Sequence, residues 1–406
     1  MITKNLLLNN NIQNLYLDRK FKKILSKEFE RTFKAAKKDV NKPNVTLNIL
    51  NKNFKFNFKT KELKKFKKFK TIIVVGMGGS ILGAEAINEL LKDKINKEIF
   101  FLNDLDEKKF LHLKRTKKFN KTLFLIISKS GNTIETLSNL FYLKIIKKNA
   151  KNVIVISEKN NNNILYSISL QFNLFHVEHK SHISGRFSVL SEVGLVPAYL
   201  MGVNILQLRK NVSKFFQNNE KLLLMNGSID LTILHADRKI NNLIFLNYVP
   251  EMEKFLFWCQ QLIAESLGKK GKGFLPVISN MPKDHHSLLQ LYLDGPKDKL
   301  FHIFSINDSK KEKFKIKKIT NKINYLDNKS LTEIKQGQKN ALIETFIKNK
   351  IPFREFKIKK INEETLGELF VYFMLEIAII GKLTKVNPFN QPAVEQVKVY
   401  TKKILT

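Results

Sequence analysis

The chain of 406 residues holds a single cysteine, Cys259, so no disulfide can close within it, which fits a reducing compartment. Long apolar runs are missing too: the longest, Leu369 to Gly381, is interrupted by Glu376. The opening residues, MITKNLLLNNN, lack the basic start, apolar stretch and small residues of a signal peptide. Neither a leader nor a membrane span is expected, and the expected location is the cytoplasm. Arginine is also scarce, at seven of 72 basic residues. That scarcity matters because a formal net charge of +36 otherwise argues for nucleic acid or an anionic membrane as partner. Surfaces that read bases or grip phosphates favour arginine's planar fork. Here the excess is lysine, scattered over every segment beside abundant Asn and Ile, a bias of the kind an AT-rich coding sequence produces. No nucleic-acid or membrane partner is expected, although the charge would still steer small anionic substrates.

What is present is the composition of a large globular protein, 43% apolar and too long for one ordinary domain. Residues 1–45 read as an amphipathic helix with an Asn-rich start. Thr71 to Val75 reads as a buried strand, followed by GMGGSILG at residues 76–83 and a helix to about Leu91. The same order recurs at Lys121 to Ile127 (strand), Ser128 to Thr133 (loop) and Ile134 to Lys148 (helix), and more weakly at Val153 to Ile156. A later strand, Asn242 to Val249, runs into a helix, Lys254 to Leu267, and Glu364 to Gly381 has the spacing of a long buried helix. A second helix is expected after Asn387 to Pro392. The fold class is α/β, with two parallel-sheet lobes divided near residue 205.

GMGGSILG leaves a strand and opens a helix, where backbone N–H groups and the positive helix end can hold a phosphate and glycine lets the backbone approach. It is not a dinucleotide fingerprint, because the third glycine would fall at Ile81, and no G-x-x-x-x-G-K-[ST] occurs. A tight strand-to-helix turn is the plain alternative. SKSGNTIET at residues 128–136 gathers the Ser128, Ser130 and Thr133 hydroxyls, Lys129 and a glycine into one helix-entry loop, short donors suited to one oxyanion group. Capping by Thr133 would explain one hydroxyl but not four polar side chains in six positions.

WCQQLIAESLGKKGKG at residues 258–273 places Gln261 and Glu265 four apart on a helix. An acid among apolar residues suits proton abstraction beside a carbonyl, against the alternative of a solvated or capping glutamate. His285 and His286 in KDHHS are acid–base groups or a polar loop, and Arg186 in SGRFSVLS is a fixed fork or an ordinary ion pair. His176, His179 and His182 recur at three-residue intervals around Glu178, but this spacing suits one helical face poorly beyond two ligands, and the segment reads as a strand entering a loop. No metal site is expected there.

Six segments occur in one order: GMGGSILG, SKSGNTIET, SGRFSVLSEVGL, WCQQLIAESLGK, KDHHSLLQLYLDGP and NPFNQPAVEQVK. Together, from about residue 70 onward, they resemble the glucose-6-phosphate isomerase family. Beside the helical segment read at 1–45, the resemblance implies two sugar-isomerase (SIS) domains, at 46–205 and 206–406, each a parallel sheet flanked by helices, the second ending in C-terminal helices. It implies interconversion of glucose 6-phosphate and fructose 6-phosphate through a cis-enediol, a step of glycolysis and gluconeogenesis, with no cofactor and no metal. Carried over residue by residue, Ser80, Ser128, Lys129, Ser130 and Thr133 match phosphate-binding positions, and Gly78 and Gly79 line the substrate. Gln391 matches a substrate-binding glutamine, and Gln261 joins the same set. Arg186 matches the arginine that stabilises the enediolate, Glu265 the proton-shuttling base, and His286 and Lys398 the groups that assist ring opening. In that family the histidine reaches the partner's active site, so a homodimer with its site at the subunit interface is implied.

Departures are visible. Ala393 and Val397 stand where the family usually has glycine, SGNT replaces a threonine-rich loop, and little precedes the first sheet. A dual glucose- and mannose-phosphate isomerase, also with an SGNT loop, is the nearest rival. A non-catalytic sugar-phosphate-binding regulator is the other; it needs the loops but not Glu265, His286 and Lys398.

Overall fold

A computed structural model describes residues 3, 5–306, 314–317 and 321–406. Among them, ten strands form two five-stranded sheets. In chain order they are β1 (Leu6–Asn11), β2 (Thr71–Val75), β3 (Glu98–Leu102), β4 (Thr122–Ile127), β5 (Val153–Ser157), β6 (Phe175–Glu178), β7 (Asn242–Asn247), β8 (Leu275–Asn280), β9 (Lys299–Ile306) and β10 (Phe353–Ile358). The first sheet has the order β3-β2-β4-β5-β6 and is parallel throughout. The second, β1-β10-β9-β7-β8, is parallel except for β1.

Strands buried on both faces read as unbroken apolar runs, because helices cover each side of a parallel sheet. TIIVV at β2 behaves so: Ile72 and Val74 face one core, Ile73 and Val75 another. The inner core joins the facing sides of the two sheets through the helices Leu82–Leu90, Glu192–Met201, Glu253–Leu267 and Glu363–Leu383. The outer faces carry separate cores, built on Phe110, Leu113 and Leu140 for the first sheet and on Leu342 and Phe346 for the second.

The N-terminal expectation is corrected. Residues 1–45 are not helix alone: β1 pairs antiparallel with β10, Leu8 opposite Phe356, before the helix Arg19–Val40 begins. LLLNNN has no alternation to announce a strand, and only Leu6 and Leu8 are buried in it; the pairing depends on an edge supplied by β10. The N-terminal segment therefore extends the second sheet rather than standing apart from it; residues 1, 2 and 4 lie outside the described residues. The helix expected over Ile134 to Lys148 ends at Leu143, where Lys144 takes a left-handed φ of 53°.

The helix Glu363–Leu383 is buried all round from Thr365 to Gly381, as a helix apolar on every face must be. No helix among the described residues is long and apolar enough to cross a membrane. Within it Glu376, 1% exposed, lies 2.7 Å from the Nη2 of the equally buried Arg354 and 2.6 Å from the Tyr372 hydroxyl. Removing one partner of a buried pair strands the other charge. Glu376→Ala is accordingly expected to lower stability by about 3–5 kcal/mol in denaturant unfolding; a loss below about 1 kcal/mol would count against that account.

Candidate active site

The connection out of β2 runs to β3 on one side, and the chain then returns to place β4 on the other. The carboxyl ends of β2 and β4 thus flank a topological switch point, the usual ligand crevice of an open α/β sheet. Both loops singled out in the sequence leave from these two strands. They lie side by side: a Cβ at Gly76 would stand 2.9 Å from the Ile127 carbonyl oxygen and 3.3 Å from Ser80 Cβ.

In the second loop, Ser128 is buried, with its Oγ 2.9 Å from Thr133 Oγ1. Thr133 occupies the N-cap position of the helix Ile134–Leu143, yet its side chain makes no cap bond. The hydroxyl is turned into the loop, so the capping alternative does not account for it. Ser130 Oγ accepts from the Asn132 N–H at 3.4 Å. Lys129 is turned elsewhere: its Nζ donates to the Ser181 carbonyl at 2.7 Å and sits 3.6 Å from Glu158, tying this loop to the chain beyond β6.

The first loop reaches the other candidate residues through two glycines. A Cβ on Gly79 would come within 2.4 Å of Gly185 C and 2.6 Å of Arg186 N. Gly78 has φ +51°, and a Cβ there would meet Gln261 Nε2 at 2.7 Å. Only glycine permits either approach. They press the turn Gly185–Leu190 and the helix Glu253–Leu267 against the loop.

Arg186 is 2% exposed and spends all five of its N–H groups. Nε donates to Ser266 Oγ (2.8 Å), Nη1 to Glu265 Oε2 (3.0 Å) and Gln391 Oε1 (2.9 Å), and Nη2 to the carbonyls of Pro388 (2.5 Å) and Asn390 (2.9 Å). Trp258 holds the backbone from behind, its indole N–H donating to the Arg186 carbonyl at 3.1 Å. This is the fixed fork, which a lysine could not reproduce. Burial lowers the guanidinium's pKa, and the Glu265 carboxylate opposes that shift.

Glu265 is held at both oxygens, by Arg186 Nη1 and by Gln261 Nε2 at 3.0 Å. The remaining Gln261 oxygen is buried with no partner. A buried acceptor without a donor is costly, and a hydroxylated ligand would supply one.

One site residue escaped the sequence reading. Lys269 Nζ donates to the Ser266 carbonyl at 3.1 Å and to the Asn387 carbonyl, joining the end of the helix Glu253–Leu267 to the segment that carries Gln391. Burial first, and then Arg186 beside it, bring its pKa down to about 8. In a chain so rich in lysine, nothing in GKKGKG marks this one.

His286 and Lys398 do not join this group within the subunit. His286 is exposed on the turn Lys283–His286, where its neighbour His285 meets the Tyr248 hydroxyl at 2.8 Å. Lys398 pairs with Glu395 at 2.7 Å on the helix Glu395–Leu405, which buries none of its residues. The histidine triplet is likewise dispersed, with His176 on Ser157 Oγ at 3.0 Å and His179 on the Lys180 carbonyl at 2.9 Å. Among the described residues no group of three or more His, Cys, Asp or Glu is placed to hold a metal.

Two parallel-sheet lobes, with hydroxyl- and glycine-rich loops at a switch point of one and a glutamate–arginine pair where the lobes meet, define the class of SIS-type phosphosugar isomerases. The description Phosphoglucose isomerase belongs to the family profile that matches residues 30–274. The glucose-6-phosphate isomerase of Methanocaldococcus jannaschii is 32% identical, over 92% of this chain and 98% of that one. Among solved structures, a hypothetical protein from Thermus thermophilus superposes with a TM-score of 0.82 at 25% identity, covering 98% of this chain and 100% of the other. A glucose-6-phosphate isomerase from Chlamydia trachomatis shares the fold, with a TM-score of 0.77 at 16% identity over 100% of this chain and 89% of that one. This chain belongs to the phosphoglucose isomerase family.

Proposed function

We propose that this site interconverts glucose 6-phosphate and fructose 6-phosphate, with Glu265 carrying a proton between carbon 2 and carbon 1. The carrying observation is the Glu265 carboxylate pinned between Arg186 and Gln261 at 3.0 Å each, with Gly78 packed on Gln261 and Gly79 on the Gly185–Arg186 backbone. Ser80, Ser128, Ser130 and Thr133 hold the phosphate at the switch point, turning binding energy into orientation; Lys129 braces that loop. Once the ring is open, Glu265 takes the proton from carbon 2 of the aldose. The electron pair moves into the carbon 1–carbon 2 bond, and charge gathers on the carbon 1 oxygen. Arg186 faces that charge already oriented by Ser266 and two carbonyls, so little reorganisation is needed as it forms. A proton passes from the carbon 2 hydroxyl to the carbon 1 oxygen, and return of the carried proton from Glu265 to carbon 1 gives the ketose.

Ring opening falls to Lys398 and to His286 of the partner subunit, in a two-fold dimer. An exposed His286, remote from the contacts of its own Glu265, supports a role across an interface. A coupled assay of the purified protein on both hexose phosphates tests the reading, and turnover of neither would overturn it. Mannose 6-phosphate as a third substrate separates the dual-specificity alternative, and binding without turnover would leave the regulator.

Two variants probe the parts. Ser130→Ala with Thr133→Ala is expected to raise the Michaelis constant for both hexose phosphates by about tenfold or more, since hydrogen bonds to a charged group are lost. Thermal stability should hardly move, because Thr133 caps nothing. The opposite pattern, a stability loss of about 1–2 kcal/mol with an unchanged Michaelis constant, would restore the capping role. Lys269 is charged below about pH 8 and loses its proton as pH rises through that value. Turnover is therefore expected to fall on the alkaline side with an apparent pKa near 8. Lys269→Met should be slower at neutral pH and lack that limb; a limb unchanged in the variant would assign it to another group.

A further inference from the structure

Beyond Glu265 the chain turns back sharply. Lys270 and Gly271 both have positive φ, 56° and 66°, and a backbone bridge between Lys269 and Lys272 closes the turn. Lys269 points to the active site, whereas Gly268, Gly271, Lys272 and Gly273 line a separate cavity of about 360 Å³, shared with His235 and Arg238. Nothing in the proposed reaction uses this cavity.

Its chemistry is specific. His235, 2% exposed, has Nε2 at 3.3 Å from the Leu267 carbonyl. A carbonyl only accepts, so Nε2 carries the hydrogen and Nδ1 is left as a bare lone pair. That Nδ1 is buried and has no partner. Phe274 packs against the ring, with centroids 5.7 Å apart. Arg238 and Lys272 stand close enough that their charges, after burial, help hold the imidazole neutral. A Cβ at Gly271 would meet nothing within 4 Å, so that wall is open. The cavity lining thus includes a histidine whose Nδ1 is buried without a partner and two cationic side chains.

We infer that this cavity is a second ligand site, taking a small hydroxylated anion, and that the turn 268–273 couples it to the active site. A hydroxyl of the ligand donates to His235 Nδ1, and its anionic group meets Arg238 and Lys272. The coupling is mechanical. A ligand that fixes Gly271 and Lys272 also fixes Lys269, whose Nζ holds the Asn387 carbonyl in the segment that supplies Pro388, Asn390 and Gln391 to Arg186. By linkage, substrate and effector must alter each other's affinity by one factor.

The test uses the full chain, isotopically labelled at its histidine nitrogens for magnetic resonance. The probe carrying both features is sn-glycerol 3-phosphate, and inorganic phosphate and glycerol carry one each. The His235 resonances, assigned as those missing in His235→Gln, are expected to shift saturably with glycerol 3-phosphate, and to do so less with phosphate or glycerol alone. Arg238→Gln with Lys272→Gln, two rim positions outside the catalytic group, should weaken that binding by about tenfold or more. If His235→Gln fails to fold, calorimetric titration of wild type and the rim variant decides alone. In kinetics, glycerol 3-phosphate should have an effect on fructose 6-phosphate turnover that the rim variant loses. Absence of a saturable shift, or of a calorimetric site sensitive to Arg238 and Lys272, would overturn the site. Inhibition that is purely competitive and equal in both proteins would overturn the coupling. The binding arm needs no catalysis, so it fails or holds independently of the isomerase reading.

Discussion

Glu265→Gln is expected to lower turnover by ~10²-fold or more, with the Michaelis constants little changed, the consequence of deleting a positioned general base. The change is isosteric, but it is not electrically silent. Both neighbours of the carboxylate, Arg186 Nη1 and Gln261 Nε2, are donors, and an amide can accept at only one of its two ends. Gln261 can turn its own amide and present the oxygen that now lacks a partner. Arg186 keeps four other hydrogen bonds, from Nε, Nη1 and Nη2. The fold should therefore survive, and circular dichroism with a thermal melt would verify it. Near wild-type turnover in a folded variant would take the role of base away from Glu265.

The second large effect is a recovery. Glu265→Gln and His286→Ala should each be inactive, yet regain activity when denatured and refolded together. If each site draws Glu265 from one subunit and the histidine from the other, a mixed dimer gathers both lesions in one site and leaves the other intact. Random pairing makes half the dimers mixed, so roughly a quarter of wild-type activity should return. A mixture that stays as inactive as its parents, although mixed dimers are demonstrated by differential tagging, would place His286 in its own subunit's chemistry or in none.

Much of this architecture was legible in the sequence because the informative strands are buried on both faces. TIIVV at β2 and TLFLII at β4 admit little but a central parallel strand, and the loops that leave them carry the glycines and hydroxyls found at the switch point. The helix Glu363–Leu383 was legible for a related reason: apolar residues on all sides leave only the core as its location. Arg186 stood out by rarity. What escaped has a common cause, in that each feature depends on a partner distant in sequence or hidden by the fold. The strand at Leu6–Asn11 is strand only because β10 offers an edge. Lys269 differs from its many fellow lysines only through Arg186 on one side and Asn387 on the other.

The pairing of β1 with β10 also bears on how the chain is made. Leu6 leaves the ribosome about 350 residues ahead of its partner Ile358, which at typical elongation rates is roughly 20 to 70 s. During that interval the second lobe lacks a border strand that has long since been synthesised. An unpaired strand is a template for the wrong neighbour, and apolar ones are the most hazardous. Asn9 and Asn10, both exposed in the finished protein, make this ribbon a poor nucleus for aggregation while it waits. The second lobe is thus discontinuous along the gene, and its completion is a late event in the life of each nascent molecule.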